Sequence, residues 1–205
     1  RARSIVEQIV CRALQRDSNA PSISTEQAPR PSPSDGMPEG KLWTKDLADR
    51  LTAVADNLTF DDRNTIRSLT ASLHSLGGIQ LERGEPTCVA LYEECLAIDM
   101  AVGEQAGAAA CAFHLGHAYR VLSAIRDLTT AERWYLKSIE LRQETDRLGH
   151  GLCYSSLGMV ALERFADAFA NGVKEAEAVT HLHAALTLMG RALELLPADA
   201  LNDLA

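Results

Sequence analysis

The side chains with the strongest potential for chemistry are histidines and cysteines at helical spacing. Cys111, His114 and His117 follow one another at intervals of three residues, so they form one row along a helix, as metal ligands can. No acidic residue or further cysteine extends this row at the next turn. His181 and His183 are two residues apart and fall on different faces of a helix. We therefore expect no metal and no cofactor.

The sequence offers no complete catalytic arrangement. Cys153 follows His150 by three residues, as a thiol nucleophile follows its base, but no third group is placed to orient the pair. The acidic pairs at 61–62 and 93–94 are typical of helix caps and solvated surfaces. Motifs for phosphate or dinucleotide binding, serine hydrolysis and zinc proteolysis do not occur. The sequence thus predicts a protein that is not an enzyme.

The formal net charge of −8 lies in the second part of the chain, because the basic and acidic side chains of the segment 1–40 balance each other. An acidic body argues against nucleic-acid binding, which depends on Lys and Arg contacts to phosphates. No apolar run approaches the length of about 18 residues that a membrane span requires, so we expect none. Five cysteines without a CxxC motif favour the reducing cytoplasm. The chain starts at Arg1 and stops within a pattern, which indicates a piece of a longer protein.

The N-terminal part divides into a helix and a linker. Residues 3–16 can form a helix in which Ile5 and Ile9 share one side. We interpret residues 1–18 as the last helix of an upstream domain, or alternatively as a helix that contacts the rest of the chain. The Pro- and Ser-rich segment 19–40 has too few apolar side chains to offset the entropy of ordering, so we predict a linker.

Two helices are predicted after the linker. The first covers residues 45–58, with Thr44 as its N-cap and one apolar stripe made of Trp43, Leu47, Leu51, Val54 and Leu58. The second covers residues 62–83 and carries a stripe made of Ile66, Leu69, Leu73, Leu76 and Ile79. Gly84-Glu85-Pro86 ends this second helix.

The segment 104–144 contains the most regular pattern of the chain. Its first helix has an apolar stripe made of Ala108, Ala112, Leu115, Ala118, Tyr119 and Leu122. Gly116 costs about 1 kcal/mol of helix propensity against Ala, which is understandable where a second helix approaches closely. That second helix offers Ala131 and Ser138 as small residues beside Trp134 and Tyr135. Neither helix can bury its apolar face alone, so we expect neighbouring pairs to stack.

One dipeptide marks three copies of this pattern, at spacings of 39 and 42, namely Leu76-Gly77, Leu115-Gly116 and Leu157-Gly158. The second helices align at small residues that are 43 and 54 apart, namely Cys95, Ser138 and Ala192. The longer spacing predicts an insertion at about residues 165–175. Cys111 and Cys153 occupy equivalent positions of two copies, so we expect both in the core. Pro197 falls where a terminating proline belongs.

Leu115-Gly116-x-x-Tyr119 with Ala131-x-x-x-Tyr135 resembles the helix pair of the tetratricopeptide repeat superfamily, and the resemblance covers residues 62–205. The spacing near 40 is similar to that of kinesin light chains, LGN-type scaffolds and the arrays attached to bacterial signalling ATPases and CHAT proteases. The resemblance implies an all-α fold over residues 41–205, a right-handed α-α superhelix of helical hairpins. The implied repeats span 62–103, 104–145 and 146–197, with a truncated fourth from 198.

In this family the first helix of each pair lines a concave groove that binds a partner peptide or helix. Carried over by position, the groove residues are His74, Gly78, Phe113, His117, Arg120, Ser155 and Met159. Phe113 is expected to be an apolar anchor and Arg120 a fork for a carboxylate. The family's Lys and Asn clamp for a C-terminal carboxylate is missing, so a groove that recognises side chains is the better expectation.

The resemblance implies a cytoplasmic scaffold that binds a protein or peptide, and neither nucleic acid nor membrane. The alternative is a regulatory or sensor segment of a larger multidomain signalling ATPase or protease. A third reading, an enzyme in its own right, lacks a motif.

Overall fold

A computed structural model describes residues 2–17, 45–173 and 175–196, and every regular element in these ranges is helical. The helices are α1 (Ala2–Asp17), α2 (Lys45–Ala53), a 3₁₀ helix (Ala55–Asn57), α3 (Phe60–Glu82), α4 (Cys88–Ala101), α5 (Gln105–Val121), α6 (Leu128–Leu141), α7 (Arg147–Ala170) and α8 (Glu175–Leu195). The linker 19–40, Trp43, the Thr44 cap, Pro197 and the fourth repeat from 198 lie outside the described residues. The all-α prediction is confirmed.

The helices from α3 onward pack as three consecutive pairs. Helix α3 packs on α4, α5 on α6 and α7 on α8, while α4 also packs on α5 and α6 on α7. The first helices of neighbouring pairs touch as well, α3 with α5 and α5 with α7. Stacked helix pairs are therefore present, and the right-handed superhelix stays a prediction.

Each repeated glycine lies against a large side chain of its partner helix. A Cβ atom added to Gly77 would lie 2.9 Å from the Tyr92 ring, and one added to Gly116 would lie 2.8 Å from the Tyr135 ring. Gly158 has the same relationship to Met189, at 2.7 Å. Real Cβ atoms do not approach other atoms this closely, so each glycine permits the close contact of its helix pair. The expected role of Gly116 is confirmed.

The small residues of the second helices make equivalent hydrogen bonds. Cys95 Sγ donates to the carbonyl oxygen of Thr70 at 3.0 Å, and Ser138 Oγ donates to that of Ala109 at 2.8 Å. Thr70 and Ala109 each lie seven residues before the glycine of their helix. The third pair has Ala192 at this position, which has no side-chain donor. The first two helix pairs thus make the same contact at equivalent sequence positions.

The cysteine prediction is confirmed, whereas part of the stripe on α3 is wrong. Cys111 and Cys153 are buried. On α3, however, Leu76 and Ile79 are 45% and 47% exposed, while the equivalent Leu115 of α5 is fully buried. Leu115 is covered because α4 of the preceding pair packs on α5. Among the described residues, Leu76 and Ile79 belong to none of the buried clusters.

The predicted helix 45–58 is shorter than its apolar pattern. Helix α2 ends at Ala53, a turn at Val54 and the 3₁₀ helix follow, and an extended Leu58 precedes Thr59, which caps α3. Val54 and Leu58 nevertheless remain in the core, because the 3₁₀ turn keeps both on the inner side. For its four described residues, Leu47, Leu51, Val54 and Leu58, the stripe indicated burial correctly, and it indicated the helix end incorrectly.

The third pair contains longer helices than the second. Helix α7 continues from Gly158 as far as Ala170, whereas α5 ends at Val121, little more than one turn after Gly116. Gly172 adopts a positive φ of 68° in the turn that follows α7. The extra residues of this repeat therefore extend its helices on both sides of the turn, around the segment 165–175.

Helix α1 packs on α2, on the 3₁₀ helix and on α3. Val6, Ile9, Val10 and Ala13 are fully buried in a cluster with α2, α3 and α4. Arg16 Nη1 lies 2.7 Å and Arg12 Nη2 lies 3.2 Å from the carboxylate of Asp62 on α3. In this structure α1 is a part of the core.

Candidate functional site

A groove lies between α3 and α5, with α4 behind it. It contains a cavity of about 250 Å³. The walls are mostly small side chains, among them Ala71 of α3 and Ala110 of α5, and His74 stands beside them. Small walls of this kind allow another chain to approach the backbone of both helices. Of the seven predicted groove residues, only His74 lines this cavity.

The carboxylate of Asp99 forms part of the cavity wall although Asp99 is only 4% exposed. It reaches α5 at Gly107, where an added Cβ would collide with the carboxylate oxygens. Burial raises the pKa of Asp99 to about 6, the Thr70 hydroxyl partly opposes this rise, and Glu104 adds to it. A carboxyl group with this pKa exchanges its proton near neutral pH.

One ion pair stands at the edge of the cavity. Arg67 Nε and Nη2 donate to Glu104 Oε1 at 3.0 and 2.7 Å. Both nitrogens thus bind Glu104, and within the described residues Asp99 forms no ion pair. The carboxylate of Asp99, which is more buried than that of Glu104, therefore lacks a cationic partner among the described residues.

An aromatic cluster lies beside the cavity and shares His74 with its lining. The ring of His114 stacks on that of Tyr92 with 5.2 Å between centroids. The ring of His74 contacts the His114 ring edge-on, with 4.6 Å between centroids. Burial lowers the pKa of His74, and burial together with His74 and His117 lowers that of His114 to about 4. Both imidazoles are therefore neutral at physiological pH. His74 Nε2 and His114 Nδ1 are buried without a hydrogen-bond partner among the described residues.

A second set of predicted residues meets between α5 and α7. Arg120 Nη1 donates to Glu163 Oε1 at 2.7 Å, and Arg120 Nη2 lies 3.5 Å from His117 Nδ1. Burial and the charge of Arg120 lower the pKa of His117, and Glu163 opposes them. Arg126 also contacts Glu163, at 3.3 Å. The guanidinium expected to bind a partner carboxylate is thus occupied by a carboxylate of this chain.

The remaining predicted residues are dispersed. Phe113 is half-buried and packs its ring 5.5 Å from that of Tyr135, so much of its apolar surface is used inside the protein. Gly78 and Ser155 are half-buried, and Met159 is 38% exposed on α7. The structure therefore joins His117 to Arg120, and places Ser155 and Met159 on the next helix.

Sequence reasoning missed Asp99. A signal was present, because Tyr92, Cys95 and Asp99 are spaced by three and four residues and share the buried face of α4. An acidic residue in an apolar stripe predicts a buried carboxylate with a special environment. Its proximity to Gly107 could not be read from the pattern.

A larger cavity of about 660 Å³ lies between α4 and α6, lined by Trp134 and Lys137 among others. None of the predicted groove residues lines it. Within the described ranges, no three His, Cys, Asp or Glu side chains group as metal ligands, and none of the helices has the length and apolar character to span a membrane.

No protein-family model matches the chain, and comparison with curated proteins and with solved structures gives no significant match. The resemblance to tetratricopeptide repeats therefore depends on the repeated residues and on the helix packing they produce.

Proposed function

We propose that this chain is a non-catalytic scaffold of the tetratricopeptide type, which binds a peptide or helix of a partner protein along α3, α5 and α7. One observation carries the proposal: a groove between α3 and α5 that holds a 250 Å³ cavity with small walls and a buried acid without a cationic partner. Concave sites in which apolar and polar side chains converge are typical of ligand recognition.

Two further features support this function. The side chain of His74 lines the cavity, and its neutral imidazole is a polar group that a bound chain can contact. The chain also has a net charge of −8, which favours association with basic partners.

The test is a selection of displayed random linear peptides on the full chain, followed by titration of the selected peptides. Ala71→Trp fills the groove from α3, and Ala90→Trp places the same side chain on the exposed surface of α4. We expect the affinity to fall by about tenfold or more in the first variant, because filling the centre of an interface removes its dominant contacts. The second variant should bind like the parent. Peptides that bind both variants equally would place the binding surface elsewhere, and the absence of any binding peptide would contradict the proposal.

A further inference from the structure

We infer that the cavity between α3 and α5 is a subsite for a lysine side chain of the bound partner, with Asp99 as the group that recognises its ammonium. This inference rests on the proposed function for its biological setting. The site itself can be tested without a partner.

The lining of the cavity suits a side chain that has several methylene groups and a charged group at its end. Ala71, Ala110 and Gly107 present no bulky side chains, so four methylene groups can lie between α3 and α5. The same lining contains Asp99, with its carboxylate, and Thr70, with its hydroxyl. An ammonium group has three donors, and these two oxygen groups can accept from it.

Gly107 makes room for the Asp99 carboxylate beside the cavity. Any larger residue at this site would place its Cβ against the Asp99 oxygens. Gly107 stands in the first turn of α5, where glycine is a poor helix former, so local propensity does not explain it. The space that the buried Asp99 carboxylate occupies does explain it.

Among the described residues, no positively charged group forms an ion pair with Asp99. The groups that face it are Glu104 from the loop before α5, Arg67 and His74 from α3, and Cys111 from α5. Arg67 donates to Glu104, and the buried His74 is neutral. A buried carboxylate without a cation is costly when ionised, and the attraction of an incoming ammonium offsets part of this cost.

Binding must therefore be linked to protons. Since the pKa of Asp99 is about 6, most of its carboxyl groups are protonated at pH 5 and ionised at pH 8. The ammonium binds the ionised form, so we expect its affinity to be about tenfold lower at pH 5 than at pH 8.

The experiment titrates the full chain, labelled with ¹⁵N and with ¹³C in Asp carboxyls, with n-butylammonium chloride. Butan-1-ol is the neutral probe of the same length, and n-butylguanidinium tests the alternative of an arginine. We expect a saturable shift of the Gly107 amide with butylammonium, weaker at pH 5, and a lowered pKa of Asp99 in the complex. The response should be absent with Asp99→Asn and retained with Glu93→Gln, an exposed acid on the same helix.

Equal responses to butylammonium and butan-1-ol would overturn the inference, as would an unchanged pKa of Asp99. A tighter response to butylguanidinium would replace lysine by arginine and overturn the assignment. Should Asp99→Asn lose its native amide spectrum, the pKa measurement on the parent chain decides the question alone. Peptides that bind the groove while butylammonium does not would leave the proposed function standing and remove only this subsite.

Discussion

Gly116 of α5 faces the ring of Tyr135 on α6 so closely that an added Cβ would lie 2.8 Å from the ring. The same helices are held by the Ser138 hydrogen bond to Ala109, one turn further along α6. The middle pair is therefore fixed by a steric fit and by a buried hydrogen bond, and each can be tested separately.

Replacing Gly116 by Leu should lower the free energy of unfolding by about 2–4 kcal/mol, because the new side chain forces α5 and Tyr135 apart. Gly190→Ala is the matched control, since no atom lies within 4 Å of a Cβ at this position of α8. Helix propensity should make the control more stable by up to about 1 kcal/mol. Urea denaturation followed by circular dichroism measures both, and a Gly116→Leu chain as stable as the parent would show that the close contact does not exist.

Ser138→Ala should lower the free energy of unfolding by about 1–2 kcal/mol, because the Ser138 hydroxyl is fully buried and donates to the carbonyl oxygen of Ala109. Ser75→Ala removes an exposed hydroxyl that bonds within its own helix, so we expect a change below about 0.5 kcal/mol. Thermal and urea denaturation of the two variants check the contrast. Equal losses would mean that burial of the hydroxyl is not what matters.

Asp62 should determine whether α1 stays docked. It accepts hydrogen bonds from Arg16 at 2.7 Å and from the Thr59 hydroxyl at 2.7 Å. We expect Asp62→Asn to lower stability by about 1–3 kcal/mol, as for hydrogen bonds to charged groups, and to speed amide exchange in residues 2–17. Asp61→Asn removes the same charge from the same turn at an exposed position. If exchange in α1 responds equally to both changes, the ion pairs with Asp62 do not hold the helix.

The buried acid of the groove should make stability depend on pH. Burial raises the pKa of Asp99 to about 6 from the 3.8 of an unperturbed side chain, so the folded chain holds this proton more tightly than the unfolded chain. The contribution of this bound proton to the stability of the folded chain is complete below about pH 4, and it is lost as the pH rises through about 6.

We therefore expect Asp99→Asn to be more stable than the parent at pH 8, by up to about 3 kcal/mol, with a smaller difference at pH 4.5. Urea denaturation of both chains at the two pH values gives the comparison. A difference that does not change with pH would show that Asp99 titrates normally in the folded chain.

The sequence alone determined the elements whose cause is local or repeated. The period of the apolar residues predicted the helices, and three Leu-Gly dipeptides predicted the helix pairs and the glycines at their closest contacts. These features could be predicted because helix periodicity and the need for a small residue at a close contact act over a few residues.

Tertiary structure alone decided the features that join distant residues. The ion pair between Arg16 and Asp62 spans 46 residues, and that between Arg120 and Glu163 spans 43. The exposure of Leu76, buried at the equivalent position of the next repeat, depends on which helix lies beside it. Periodicity shows which residues share a face and leaves open what covers that face. For the same reason Asp99 could be recognised as unusual within its stripe, but its place in a groove beside Gly107 required the packing of α3, α4 and α5.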